Sequence, residues 1–166
     1  SSVTRLCFVL LASACSPEGD ETGPAEGPVR EIIHIAGNLY EARDPAHNTV
    51  FLVTPDGVIL GDPMGVESAQ WIKKEIAERF DATVEYVIYS HHHPEHSTGG
   101  NVFADTATFV AHENTQRLMR ENNGVRGLGP ARESPFDGNN ANGIPERTFT
   151  DTLTLGSGAD RVELHY

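Results

Sequence analysis

Side chains suited to metal chemistry are concentrated in six consecutive residues of this chain. Residues 91–96 read HHHPEH, so four of the eight histidines and one carboxylate fall within them. Neutral imidazole and carboxylate oxygen are common ligands of zinc and of other divalent metals. The cluster therefore predicts a metal site. The alternative is a solvated histidine-rich turn that holds no metal, as in an affinity tag.

The segments on either side of the cluster favour the metal site. Residues 84–90, VEYVIYS, have the pattern of a buried strand, and residues 97–101, STGGN, contain the glycines of a turn. A strand end fixes the direction of the first histidines, and the turn brings the later ones round the same point. Pro94 narrows the backbone choices between the two pairs of candidate ligands. A tag would lie at a terminus, without a strand before it.

The sequence around this cluster predicts a mixed α/β fold. Residues 66–80 place Ala69, Ile72, Ile76 and Phe80 on one face of an amphipathic helix. Turn residues separate four short apolar runs that predict an antiparallel meander. The predicted strands of the meander are residues 30–36, 39–43, 49–54 and 58–61.

The second half of the chain is less regular. Residues 108–111 predict another short strand, and residues 113–121 a second helix. Residues 122–145 are rich in Gly, Asn and Pro and predict a long loop. Residues 148–155 and 161–166 predict a closing hairpin.

The first residues of the chain predict a targeting signal and a tether. Arg5, an uncharged stretch over residues 6–14 and then Cys15 resemble a bacterial lipoprotein signal, in which the cysteine becomes the lipidated first residue. Residues 1–15 are therefore predicted to be the signal and lipobox. The alternatives are a buried core strand or a plain secretory signal. Residues 16–29 are acidic, without an apolar anchor, and predict a flexible tether. Residues 30–166 are then the folded part.

The net charge of the chain limits the classes of partner that it is expected to bind. It has 12 basic and 24 acidic side chains, a formal net charge of −12, and a pI near 4.9. Nucleic acids and anionic membranes both select for clustered Lys and Arg. We therefore expect no nucleic acid partner, and contact with a membrane only through a lipid anchor on Cys15. The expected location is the bacterial cell envelope or periplasm, with secretion as the second choice.

The strand, the HHHPEH cluster and the following STGGN together resemble the metallo-β-lactamase superfamily, whose signature is His-x-His-x-Asp-His on a loop after a strand. The resemblance implies the N-terminal half of an αββα sandwich, an antiparallel-rich mixed sheet with flanking helices. It implies that His91 and His93 bind a first zinc and that Glu95 and His96 bind a second. Gly61-Asp62-Pro63 resembles another family motif, and Asp62 would orient the ligands; its alternative role is that of a turn residue.

This chain departs from the family pattern at two places. Glu95 stands where the family has an aspartate that often also accepts a proton, so the second metal site and that catalytic role depend on a longer side chain. The family's third histidine, bridging aspartate and last histidine have no counterparts before Tyr166. We therefore expect residues 1–166 alone to be an inactive part of a larger enzyme. His92, His112 and His165 are not predicted to be ligands.

The resemblance implies a zinc-dependent hydrolase. Such an enzyme uses a metal-activated hydroxide on a small-molecule substrate with an ester, thioester, lactone or β-lactam type bond. One or two zinc ions are implied, and other divalent metals fit the same ligands. The competing hypothesis is a non-enzymatic lipoprotein that binds metal through His91, His93 and His96.

Overall fold

The computed structural model describes residues 29–124 and 143–166. Nine strands and three helices occur in these ranges, and a single 3-10 turn spans Gly100–Phe103. The helices are α1 (Val66–Phe80), α2 (Pro94–Ser97) and α3 (Glu113–Gly124). The strands are β1 (Glu31–Ala36), β2 (Leu39–Arg43), β3 (Asn48–Thr54), β4 (Gly57–Leu60), β5 (Val84–Tyr89), β6 (Thr108–His112), β7 (Arg147–Phe149), β8 (Thr152–Ser157) and β9 (Asp160–His165).

Seven strands form one mixed sheet in the order β1-β2-β3-β4-β5-β6-β7. The pairs from β1 to β4 are antiparallel, as the meander predicted, and the pairs from β4 to β7 are parallel. Because parallel strands end at the same edge of a sheet, the residues that follow β4 and β5 come together there. The predicted α/β class is confirmed.

Helix α1 covers one face of the sheet. Ala69, Ile72 and Ile76 are fully buried, as the helical period predicted, and they pack in one cluster with Phe51, Leu60 and Val87 of the sheet. The helix ends where Asp81 adopts a left-handed conformation (φ 49°). Burial of this apolar stripe is what holds α1 against the strands that lead to the site.

A two-stranded sheet lies against the opposite face. Strands β8 and β9 pair antiparallel, and Leu155 of β8 packs with Ile59 and Val110 of the large sheet. The layers are therefore a helix, a large sheet and a small second sheet. This is part of a two-sheet sandwich with an outer helix, as the resemblance implied.

The predicted closing hairpin was wrong in one respect. Residues 148–155 do not form one strand, because the chain bends at Thr150 and Asp151. The part before the bend is β7, which pairs parallel with β6 in the large sheet. Only the part after the bend, β8, pairs with β9. A polar pair within an otherwise strand-like run thus separates two strands that belong to different sheets.

Several predictions concern residues outside the described ranges. They are the signal over residues 1–15 with its Cys15, nearly all of the tether over residues 16–29, and most of the loop over residues 122–145. Among the described residues, no helix has both the length and the apolar character needed to cross a bilayer.

Candidate metal centre

The candidate centre lies at the edge of the sheet where β4 and β5 end. Asp62 follows β4, Ser90 and His91 follow β5, and the short helix α2 carries Glu95 and His96. Pro94 is the first residue of α2, a position where its fixed φ and missing N–H are tolerated. The cluster, which the resemblance places on a loop after a strand, therefore contains one helical turn, which brings His96 back towards the strand ends.

Backbone contacts hold the loop after β4 against the loop after α2. The Gly65 N–H donates to Thr98 O at 2.7 Å, and the Met64 N–H donates to His96 O at 3.4 Å. Gly99 has φ 94°, and a Cβ there would lie 2.5 Å from the Gly65 carbonyl oxygen. Only glycine fits this close approach. The first glycine of STGGN thus allows the two loops of the site to touch.

Asp62 is the hydrogen-bonding centre of the site. Its Oδ1 accepts the Ser90 backbone N–H at 2.8 Å, and its Oδ2 accepts the Ser90 hydroxyl at 2.6 Å. The same Oδ2 lies 2.9 Å from Nδ1 of His96. The Asp62 side chain is 13% exposed, so water competes little for these contacts.

Three of the predicted residues converge. One ligand-type atom each of Asp62, His91 and His96 lies within 4.8 Å of the others. The His91 and His96 ring centroids are 4.3 Å apart. Burial, followed by the nearby His96 imidazole, lowers the pKa of His91. A lowered pKa keeps an imidazole neutral, which is the form that binds metals.

His93 and Glu95 lie beside this group rather than within it. The His93 ring centroid is 4.7 Å from that of His91, and His93 Nδ1 is 3.5 Å from Glu95 Oε1. Their side chains are 56% and 47% exposed. A hydrogen bond from its own backbone amide, with a smaller contribution from the neighbouring imidazoles, lowers the pKa of Glu95.

The remaining candidate histidines have other contacts. His112, at the end of β6, places Nε2 2.9 Å from Thr150 O and accepts the Asn114 N–H on Nδ1 at 3.2 Å. Both of its ring nitrogens are thus engaged with the backbone. His165 is exposed on β9 and lies 3.9 Å from Glu163. The ring of His92 packs against His93, with centroids 4.8 Å apart.

Two residues at the site were not singled out from the sequence. Ser90 contacts both Asp62 and His91, and its position directly before the cluster was the only available signal. His47, in the turn between β2 and β3, brings its ring centroid to 6.1 Å from that of His96. It is far from the cluster in sequence, and only the pairing of β3 with β4 brings it near.

Fold and site together define an α/β protein with a candidate metal centre at the carboxyl edge of its parallel strands. The family model of the metallo-beta-lactamase superfamily matches residues 42–166. The chain belongs to this superfamily. No curated protein matches the chain by sequence.

Solved structures share the fold. A metallo-beta-lactamase from Pontibacter korlensis superposes with a TM-score of 0.62 at 19% identity, covering 83% of this chain and 60% of that protein. A metallo beta lactamase from Hirschia baltica gives a TM-score of 0.55 at 12% identity, with 77% and 57% covered. The chain therefore spans less than two thirds of either relative's length.

Proposed function

We propose that this chain belongs to a zinc-dependent hydrolase acting on an ester, thioester, lactone or β-lactam type bond of a small molecule. The main support for this proposal is that ligand-type atoms of His91 and His96 converge on one point. The carboxylate of Asp62 contacts the Nδ1 atom of His96. Superfamily membership supports hydrolytic chemistry. The proposed location is the cell envelope, through a lipid on Cys15.

The residues present suit a divalent metal. His96 directs Nδ1 at Asp62, and His91 directs Nδ1 at Ser90, so the Nε2 atom of each ring is left for a metal. A carboxylate that holds the far nitrogen of an imidazole is the usual outer partner of a metal-binding histidine. His91, His93, Glu95 and His96 would hold the metal. Once bound, it would supply Lewis acidity and lower the pKa of a bound water.

Asp62 is assigned an orienting role rather than that of a ligand. Its two oxygens face three donors, namely the Ser90 N–H, the Ser90 hydroxyl and His96 Nδ1. Because its oxygens already accept three hydrogen bonds, Asp62 has little capacity left to bind a metal ion. Its distance to the two histidines would otherwise suit a shared metal ion. Its contribution is to hold the imidazoles in place before the reaction.

Glu95 is the chain's own candidate proton acceptor. Its carboxyl group is exposed beside His93, and its lowered pKa keeps it ionised at neutral pH. An ionised carboxylate next to the site is able to take a proton from water as the scissile bond is attacked.

The test combines metal content with hydrolysis by the complete gene product. We expect bound zinc, hydrolysis of at least one ester, thioester, lactone or β-lactam, and loss of both after chelation. His91→Ala and His96→Ala should each lower zinc affinity by more than the about 10–100-fold that loss of a ligand's outer partner costs. His165→Ala, an exposed histidine on β9, is the matched control and should change neither property.

Three outcomes would contradict the proposal. Absence of bound metal, or hydrolysis that survives chelation, would exclude a metal-dependent hydrolase. Tight zinc binding without hydrolysis of any member of the panel would instead favour the non-enzymatic metal-binding lipoprotein.

A further inference from the structure

The hydroxyl group of Ser90 lies between the carboxylate of Asp62 and the ring of His91. Its Oγ is 2.6 Å from Asp62 Oδ2 and 2.9 Å from His91 Nδ1. Both separations are within the range of good hydrogen bonds. Ser90 is the last residue before the histidine cluster, so its side chain is placed directly by the end of β5.

The direction of these hydrogen bonds follows from the number of available protons. An ionised carboxylate only accepts, so the single hydroxyl proton of Ser90 is donated to Asp62. The Ser90 oxygen must then accept its second hydrogen bond, and the donor is the Nδ1–H of His91. His91 is therefore protonated on Nδ1, and its lone pair is on Nε2.

The same oxygen, Asp62 Oδ2, holds His96 in the same tautomer. Its Nδ1 lies 2.9 Å from Asp62 Oδ2, and this contact requires a proton on Nδ1 because the carboxylate has none to give. Asp62 thus fixes His96 directly and His91 through Ser90. The two rings lie side by side, with centroids 4.3 Å apart.

We infer that Ser90 is a positioning residue that joins His91 and His96 to one carboxylate, so that both present Nε2 as a preformed pair of metal ligands. The part of this inference that concerns metal rests on the proposed function. The part that concerns the tautomer of His91 does not, because it follows from hydrogen bonds within the protein.

His93 is not held in this way. Among the described residues, the only polar approach to its ring nitrogens is that of Glu95 at 3.5 Å, and both side chains are about half exposed. His93 and Glu95 therefore lose their conformational entropy only when metal binds, which weakens binding. His91 and His96 are already ordered before metal binds. The family resemblance pairs His91 with His93. The hydrogen bonds link His91 with His96, so these two ligands are ordered in advance whichever metal each one binds.

A purely structural role for Ser90 makes a different prediction. Ser90 is exposed, and its hydroxyl could serve only to stabilise Asp62 at the strand end. In that case its removal would change thermal stability but leave the tautomer of His91 as it was. The position of the imidazole proton therefore distinguishes the two roles.

The experiment uses the 166-residue chain without metal, labelled with 15N, at a pH where its imidazoles are neutral. Long-range proton–nitrogen spectra report which ring nitrogen carries the proton, and a His91→Gln variant assigns the signals. We expect His91 of the unmodified chain as the Nδ1–H tautomer. Ser90→Ala should give a mixture of tautomers, and Ser90→Thr, which keeps a hydroxyl, should restore the single form.

Zinc titration of the same variants gives the second measurement. Loss of the partner of a metal-binding histidine lowers affinity by about 10–100-fold, so we expect Ser90→Ala to bind zinc correspondingly more weakly and Ser90→Thr to bind as the unmodified chain does. The matched control is Ser97→Ala, since Ser97 is the last residue of the neighbouring helix α2 but contacts His92 O, at 3.5 Å. It should change neither the tautomer nor the affinity.

The outcomes separate this inference from the proposed function. An Nε2–H tautomer of His91 in the unmodified chain would overturn the inference even if no variant folds. An unchanged tautomer in Ser90→Ala, or unchanged zinc affinity, would also overturn it. Failure of every form, and of the complete gene product, to bind zinc would contradict the proposed function, while the tautomer shift would still establish that Ser90 orients His91.

Discussion

At the level of single residues, Glu95 is where this chain departs from its superfamily's signature. Glutamate has one methylene more than aspartate and must fold to bring its carboxylate to the same point. Its side chain is 47% exposed, and its carboxylate lies 3.5 Å from His93 Nδ1. Metal sites accept ligand displacements of only about 0.2 Å. Glu95 is therefore expected to hold a second metal weakly.

The Glu95→Asp substitution tests this expectation in the complete gene product. After dialysis, zinc content should rise from about one ion per chain towards about two, because the shorter side chain reaches the second position without folding. Elemental analysis gives the stoichiometry. Glu67→Asp, in the exposed first turn of α1, is the control and should leave zinc content unchanged. Two tightly held zinc ions in the unmodified protein would show that glutamate serves as well as aspartate.

At the level of elements, the turn between β2 and β3 is fastened to α1. Asp44 Oδ2 accepts hydrogen bonds from Arg30 at 2.7 Å and from the Ser68 hydroxyl at 2.8 Å. Asp44 and His47 close the turn through two backbone hydrogen bonds, and His47 faces the candidate metal centre. The Asp44 carboxylate thus connects the residue before β1, helix α1 and the turn that lies beside the candidate metal centre.

The pKa of Asp44 gives this turn a pH-dependent stability. Burial alone would raise the pKa, but the hydrogen bonds from Arg30 and Ser68 outweigh it and lower the pKa below the usual 3.8. As the pH falls, the unfolded chain therefore takes up this proton before the folded one. The stabilisation is complete above the usual pKa and is lost as the pH falls through it and then through the lowered folded value.

Asp44→Asn should accordingly lower the free energy of unfolding by about 1–3 kcal/mol at neutral pH. The difference from the unmodified chain should shrink as the pH is lowered below about 4, where the aspartate loses its advantage. Urea unfolding at several pH values measures both effects. Asp56→Asn, in the exposed turn between β3 and β4, should show neither. A constant difference at all pH values would mean that the charge of Asp44 is not what fastens the turn.

How far the sequence predicts these elements depends on whether a feature is local. The α1 period and the meander are local patterns, and each gave the correct element. The HHHPEH cluster is local as well, but of its residues only His91 and His96 converge with Asp62. The assignment of β7 to the large sheet depends on its pairing with β6, which no local pattern encodes. The link from Asp62 through Ser90 to His91 joins the ends of two strands, so it becomes visible only once β4 and β5 are aligned.

At the level of the whole molecule, the large sheet has two unlike faces. One face is closed by α1. The other is covered in part by β8 and β9, and a groove of about 480 Å³ between β9 and the large sheet is lined at one place by Asp62 and Ser90. On this face Val50 stays 48% exposed. The candidate metal centre thus lies where the groove meets the edge of the sheet.

The attachment of this molecule to the cell is predicted by residues that precede the fold. The folded part begins near Val29, which is 67% exposed, so the acidic segment over residues 16–29 would join the domain at its surface. Its length and charge suit a tether between a lipidated Cys15 and the domain. A diacylated cysteine would supply the two acyl chains that stable anchoring needs.

Cys15→Ser in the complete gene, expressed in bacteria with a labelled fatty acid, tests this anchor. The unmodified protein should carry the label and sediment with membranes, because acyl chains transfer from water into the bilayer at about 0.8 kcal/mol per methylene. The substitution should abolish the label and release the protein from the membrane fraction. Cys7→Ser removes the other cysteine, which would leave with the signal, and should keep both properties. Equal labelling of Cys15→Ser and the unmodified protein would rule out the lipid anchor and favour a plain secretory signal.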